Sequence, residues 1–171
     1  TEGSDWIDSR FSENWKNANE HGITTGAYHY FSTMSPGSTQ ADNHINTVPK
    51  VPGMLPPVID IEFSRDRSQM TDDEFHRNFN ILRARLEEHY GVKPIIYTTR
   101  TFHFDYLKGQ PVEPLWTRSV FWKPYDLAKS WTFWQYSCLG RVPGIEGAVD
   151  LNVFRSTHSE FSQLSESVFK N

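Results

Sequence analysis

Residues 49–99 set the terms for any fold this chain can adopt. Pro49 to Pro57 holds four prolines and one glycine, a composition that cannot continue a helix and reads as a connector. It releases the chain into Val58 to Phe63, VIDIEF. Thr71 and Glu74 then have the T-x-x-E spacing of a capping box, and Phe75, Phe79, Leu82 and Leu86 form one apolar stripe before Gly91, which predicts a helix. Pro94 to Thr99, PIIYTT, is rich in β-branched residues and predicts a second strand.

The same alternation runs through the rest of the chain. Phe11, Trp15 and Ala18 recur at helical spacing before Gly22, a residue suited to a left-handed stop. Thr25 to Phe31 predicts a strand, and Ser38 to Val48 a polar helix. Thr101 to Leu107 predicts a short helix, followed by strands at Trp116 to Trp122, Trp131 to Ser137 and Ala148 to Phe154. Thr157 and Glu160 repeat the capping-box spacing and open a last helix with Phe161, Leu164 and Val168 on one side. Six strands alternating with helices, each apolar enough to be buried on both faces, predict a single α/β domain over residues 1–171 with a largely parallel sheet. A closed (β/α) barrel takes about eight strands, so either the sheet is open or strands are missing at its front.

Composition narrows the partners. With 17 basic and 21 acidic residues, a net charge of −4 and no cationic block, neither nucleic acid nor an anionic membrane surface is expected to be a partner. No apolar run approaches the roughly 18 residues of a membrane span. The one cysteine, Cys138, rules out an internal disulfide and is expected to be a small buried side chain. Seven histidines fall in no H-E-x-x-H or comparable spacing, so no metal is expected. His29, opposite in phase to Tyr28 and Tyr30, is expected to be a hydrogen-bonded core residue. No nucleophile elbow, phosphate loop or dinucleotide fingerprint is present, and no cofactor is expected. The aromatic share of 15% suits sugar stacking as well as core packing.

Chemistry concentrates in VIDIEF. Alternation along a strand puts Val58, Asp60 and Glu62 on one face and Ile59, Ile61 and Phe63 on the other. Two carboxyls therefore project together at a strand's C-terminal end, where α/β sheets place their sites. Their apolar neighbours should desolvate at least one and raise its pKa. A protonated acid beside an anion is what glycoside hydrolysis asks for, and lifting a glutamate from about 4.3 to about 6.5 takes roughly 3 kcal/mol of environmental bias.

The runs TEG, RFSENW, GAYHYF, LPPVIDIE, YGVKPIIYT, LW, FWQYS and VPGIEGAVDLNVF, in this order over nearly the whole chain, resemble the glycoside hydrolase family 25 muramidases, the Chalaropsis-type lysozymes. The resemblance implies an irregular, TIM-like (β/α) barrel that cleaves the β-1,4 bond between N-acetylmuramic acid and N-acetylglucosamine in peptidoglycan. It puts the family's D-x-E pair on Asp60 and Glu62, with Glu62 as general acid and Asp60 stabilising charge or orienting the substrate's 2-acetamido group. That group, water or a carboxylate could each be the attacking species. Asp150 matches a further active-site acid, a hydrogen-bonding partner. Tyr28, Tyr30, Tyr97 and Trp116 match groove-lining positions, and for each of them core packing is the rival role.

Two departures qualify the match. Family members carry an earlier strand with an aspartate in a D-V-S-like motif and a second strand running into TEG, so the resemblance implies an N-terminally truncated domain. The stretch TRSVFWKPYDL after Trp116 also differs from the family pattern. The leading expectation is a peptidoglycan-cleaving, monomeric glycosidase, acting outside the cytoplasm because its substrate lies there. The alternative is a non-catalytic module that binds cell-wall glycan in the same groove.

Overall fold

The computed structural model describes residues 1–63, 70–127 and 131–169. Its strands are β1 (Tyr28–Tyr30), β2 (Val58–Asp60), β3 (Ile95–Thr99), β4 (Leu115–Arg118), β5 (Trp131–Gly140) and β6 (Val149–Phe154). They form one sheet in chain order. The pairings from β1 to β5 are parallel, and β5 pairs with β6 antiparallel. Thr1 to Gly3 lies alongside the outer edge of β1, where Tyr30 N–H donates to the Thr1 carbonyl at 2.8 Å and Gly3 N–H to the Tyr30 carbonyl at 3.3 Å. The α/β fold is built on this six-stranded sheet, and among the described residues no pairing joins β6 back to β1.

The helices are α1 (Phe11–Glu20), α2 (Gly37–Thr47), α3 (Asp72–Tyr90), a short α4 (Arg100–Phe102) that runs into a π-helical turn at His103–Leu107, and α5 (His158–Glu166). Helix α3 forms as its sequence predicts: Thr71 and Glu74 make the reciprocal capping box, and Gly91 ends it at φ 75° in the left-handed region. Its stripe of Phe75, Phe79, Leu82 and Leu86 is buried, with Tyr90 added one turn on. The Tyr90 hydroxyl donates to the Val48 carbonyl at 2.9 Å. The capping box at Thr157 and Glu160 is also made.

Two apolar clusters occupy opposite faces of the sheet. The larger joins Phe31, Ile59, Ile61 and Ile96 to the inner faces of α2 and α3. A smaller one of Val58, Ile95 and Phe133, packed by Tyr97, Trp116, Phe154 and the α5 residues Phe161 and Leu164, floors the other face. His29 is fully buried in β1, with Nε2 3.1 Å from Gln40 Oε1 and Nδ1 2.9 Å from the Thr1 hydroxyl, as expected of a core histidine. Burial pushes its pKa down to about 4, and that of His44, also fully buried, down to about 3.

Three expectations need correction. The strand predicted over Trp116 to Trp122 ends at Arg118, and Phe121 and Trp122 beyond it are exposed. Strand β6 is not buried on both faces, because it pairs with the outer end of β5 as a hairpin partly open to solvent. Cys138 is likewise exposed rather than buried.

Candidate active site

The C-terminal ends of the parallel strands and the β5–β6 hairpin enclose a cleft of about 340 Å³. Its walls include Asp60, Glu62, Tyr97, Trp116, Arg118 and Asp150. Strand β2 stops at Asp60, yet the alternation carries on, because Ile61 N–H still donates to the Tyr97 carbonyl at 2.9 Å. Ile59 and Ile61 are therefore sealed beneath the helices while Asp60 and Glu62 face the cleft together. Sheet register sets the neighbours of this pair. Asp60 lies opposite Tyr30 on β1 and Tyr97 on β3, and Tyr97 lies opposite Trp116 on β4.

The carboxyls differ in their surroundings. Burial first, and the Glu62 charge second, push the Asp60 carboxyl up to about 7, against the opposing pull of Arg118. Asp60 Oδ1 is enclosed and without a hydrogen-bond partner. Glu62 keeps 24% of its side chain accessible and lies 3.5 Å from the Arg118 guanidinium. The sequence expectation that at least one carboxyl is desolvated and raised is met at Asp60.

The aromatic residues do two jobs. Tyr97 meets Trp116 edge to face, with centroids 5.6 Å apart, and its hydroxyl donates to Gln135 Oε1 at 2.7 Å. Trp116 Nε1 donates to Asn152 Oδ1 at 2.9 Å. Both residues therefore brace the sheet and also present ring surface to the cleft. Tyr28, 60% exposed, lines it from β1. Tyr30 does not line the cleft, although its hydroxyl is pushed up to about 12 by burial and then by the Glu62 and Asp60 charges. Asp150 reaches the wall from β6.

Sequence reasoning left out Arg118, Gln135 and the exposure of Cys138, all part of the wall. Arg118 stands two residues after Trp116 on the same strand, so the period-two argument used for VIDIEF would have found it. Gln135 sits in the FWQYS run without an assigned role. Among the described residues no group of three or more His, Cys, Asp or Glu side chains could hold a metal ion.

Comparison with known proteins identifies the family. The sequence profile of "Glycosyl hydrolases family 25" matches residues 1–145. A family 25 glycosyl hydrolase from Bacillus anthracis is 40% identical, superimposes with a TM-score of 0.86, and is matched over 96% of this chain and 79% of its own. A lysozyme from Streptomyces coelicolor gives 30% identity and a TM-score of 0.84, over 98% of this chain and 83% of its own. The uncharacterized protein YegX of Escherichia coli K12 is 35% identical over 170 residues, 98% of this chain and 61% of YegX. The chain thus spans about three fifths of that curated relative's length. A sheet carrying paired carboxyls at its C-terminal rim, a profile match over most of the chain and these superpositions lead to one conclusion: the chain belongs to glycosyl hydrolase family 25.

Proposed function

We propose that this chain is a muramidase domain, hydrolysing the β-1,4 bond between N-acetylmuramic acid and N-acetylglucosamine in peptidoglycan. The observation that carries the reading is the convergence of Asp60 and Glu62 in one cleft, with Asp60 lifted to about 7. Two interacting carboxyls titrate as a pair, so this pair holds one proton close to neutrality. Glu62, the more accessible of the two, passes that proton to the departing glycosidic oxygen. With the shared proton on Glu62, Asp60 is the anion of the pair, and its charge stands beside the positive charge developing at the sugar, or beside the 2-acetamido group if that group attacks. A water completes hydrolysis and returns the proton.

The remaining residues act on binding. Trp116, Tyr97 and Tyr28 offer ring faces to pyranose rings, Tyr30 flanks Asp60 from β1, and Asp150 accepts hydrogen bonds from the sugar. Peptidoglycan glycan strands are the partner, a single chain acts alone, and the work is done outside the cytoplasm. No helix among the described residues is long and apolar enough to cross a membrane.

One observation favours a second reading. The ion pair from Arg118 to Glu62 occupies the acid, and if substrate does not displace it the cleft would bind glycan without cutting it. Turbidity of purified cell walls separates the two. Clearing by the parent and none by Glu62→Gln supports catalysis. Equal clearing by both removes Glu62 from its role, and bound but uncleared walls with the parent favour the binding module.

A further inference from the structure

Beyond the acids, the β4–β5 connection forms a second cavity of about 230 Å³ that shares Arg118 with the cleft. Its other walls include Thr99, Arg100, Phe121 and Trp122. Phe121 and Trp122 are 86% and 78% exposed, a large apolar area to leave in water. They are not presented by a loose loop. Ser119 N–H donates to the Gln135 carbonyl at 3.1 Å, the Ser119 hydroxyl donates to the Trp122 carbonyl at 2.6 Å, and Trp134 Nε1 donates to the Ser119 carbonyl at 2.9 Å. The backbone that carries the two rings is thus braced beside the cleft.

The charges in this cavity are matched. Arg100 Nε donates to Asp126 Oδ2 at 2.7 Å with its guanidinium 5.1 Å from the Phe104 centroid, and Arg118 faces Glu62 at 3.5 Å. An anionic polymer would have to compete with both carboxylates. An uncharged sugar would not, since its hydroxyl and acetamido oxygens can accept from guanidinium N–H groups while its apolar ring face lies on an aromatic plane.

We propose that the polysaccharide groove continues past Arg118 into this cavity, where Trp122, flanked by Phe121, stacks a further uncharged sugar ring of the same strand. This rests on the muramidase reading for its substrate, and it assigns TRSVFWKPYDL, the stretch that departs from the family pattern, a role in selecting long strands.

The test uses soluble peptidoglycan glycan strands separated by length. In the Phe121→Ala/Trp122→Ala variant, the ratio of kcat/KM for long strands to that for the shortest cleaved fragment should fall roughly threefold to tenfold, carried by KM. Trp122→Phe should recover most of the ratio, and Ile23→Ala, an exposed control on the α1–β1 connection, should keep the parent's ratio. The same comparison in a Glu62→Gln background, read as calorimetric affinity for long strands, should show the same loss without turnover. An unchanged ratio with unchanged affinity overturns the extension. If the parent cleaves no strand the catalytic reading fails, and the affinity comparison still decides whether the second cavity binds sugar.

Discussion

The two faces of the β2 segment, Val58 to Glu62, differ sharply. Ile59 and Ile61 sit in the main core against α2 and α3, whereas Asp60 and Glu62, one residue out of phase, stand in a cleft with an arginine and an enclosed, unpartnered carboxyl oxygen. One face contributes stability through burial; the other carries a cost in stability because it desolvates a charge beside a like charge. These four consecutive residues therefore separate folding from chemistry by phase alone, and substitutions at adjacent positions should have unlike consequences.

The widest separation is expected between Ile61 and Glu62. Glu62→Gln should lower kcat on cell-wall glycan by roughly 10²- to 10⁴-fold while leaving the thermal unfolding midpoint close to the parent's. Ile61→Ala, one position earlier, should instead cost about 2–5 kcal/mol in stability by chemical denaturation. If Glu62→Gln unfolds the protein as readily as Ile61→Ala does, the division between faces fails.

The second contrast is electrostatic. His29 and His44 are held neutral, at about 4 and about 3, below their unfolded value near 6.5. Their folded pKa values are depressed, so the stability tied to the neutral rings is complete above about pH 6.5 and falls as the pH drops towards 4, by ~3 kcal/mol for each ring. Asp60 works in the opposite sense. Its folded pKa of about 7 lies above the ordinary 3.8, so its ionisation destabilises the fold as the pH rises from about 4 through 7. Asp60→Asn should therefore raise stability by about 3–4 kcal/mol at pH 8 and leave it nearly unchanged at pH 4. Measuring the histidine effect in that variant removes the opposing slope, and denaturant titrations at pH 4, 6 and 8 in both proteins read the two separately. A parent and an Asp60→Asn variant with parallel stability curves would contradict the desolvation of Asp60.

Much of this was legible in the chain because it is local. The T-x-x-E boxes, the stripe on α3 and the β-branched run at Ile95 each encode their element within a dozen residues, and the phase of VIDIEF needs only the pleat of a strand. His29 was legible for the same reason. What escaped depends on partners distant in sequence. The ion pair of Arg118 with Glu62 joins β4 to the end of β2, and no periodicity along either segment announces it. The lifted carboxyl turned out to be Asp60 because the deeper of the two acids is set by how β1 and β3 flank β2, not by the run itself. The exposed end of the β5–β6 hairpin, Cys138 included, was misread because an apolar strand reads alike whether a helix covers it or not. Residues 119–122 look like strand by composition, yet the chain turns there: the Ser119 side chain takes the Trp122 carbonyl in place of a strand partner.

The proposed chemistry requires a carboxyl pair that keeps a proton near neutrality. Carbon-13 NMR titration of the Asp60 side-chain carboxyl, in the parent and in Glu62→Gln, reads that proton at its own atom. The midpoint should lie near 7 in the parent and move down once the neighbouring charge is gone. A midpoint in the ordinary aspartate range, about 3.9, unmoved by Glu62→Gln, would contradict the account.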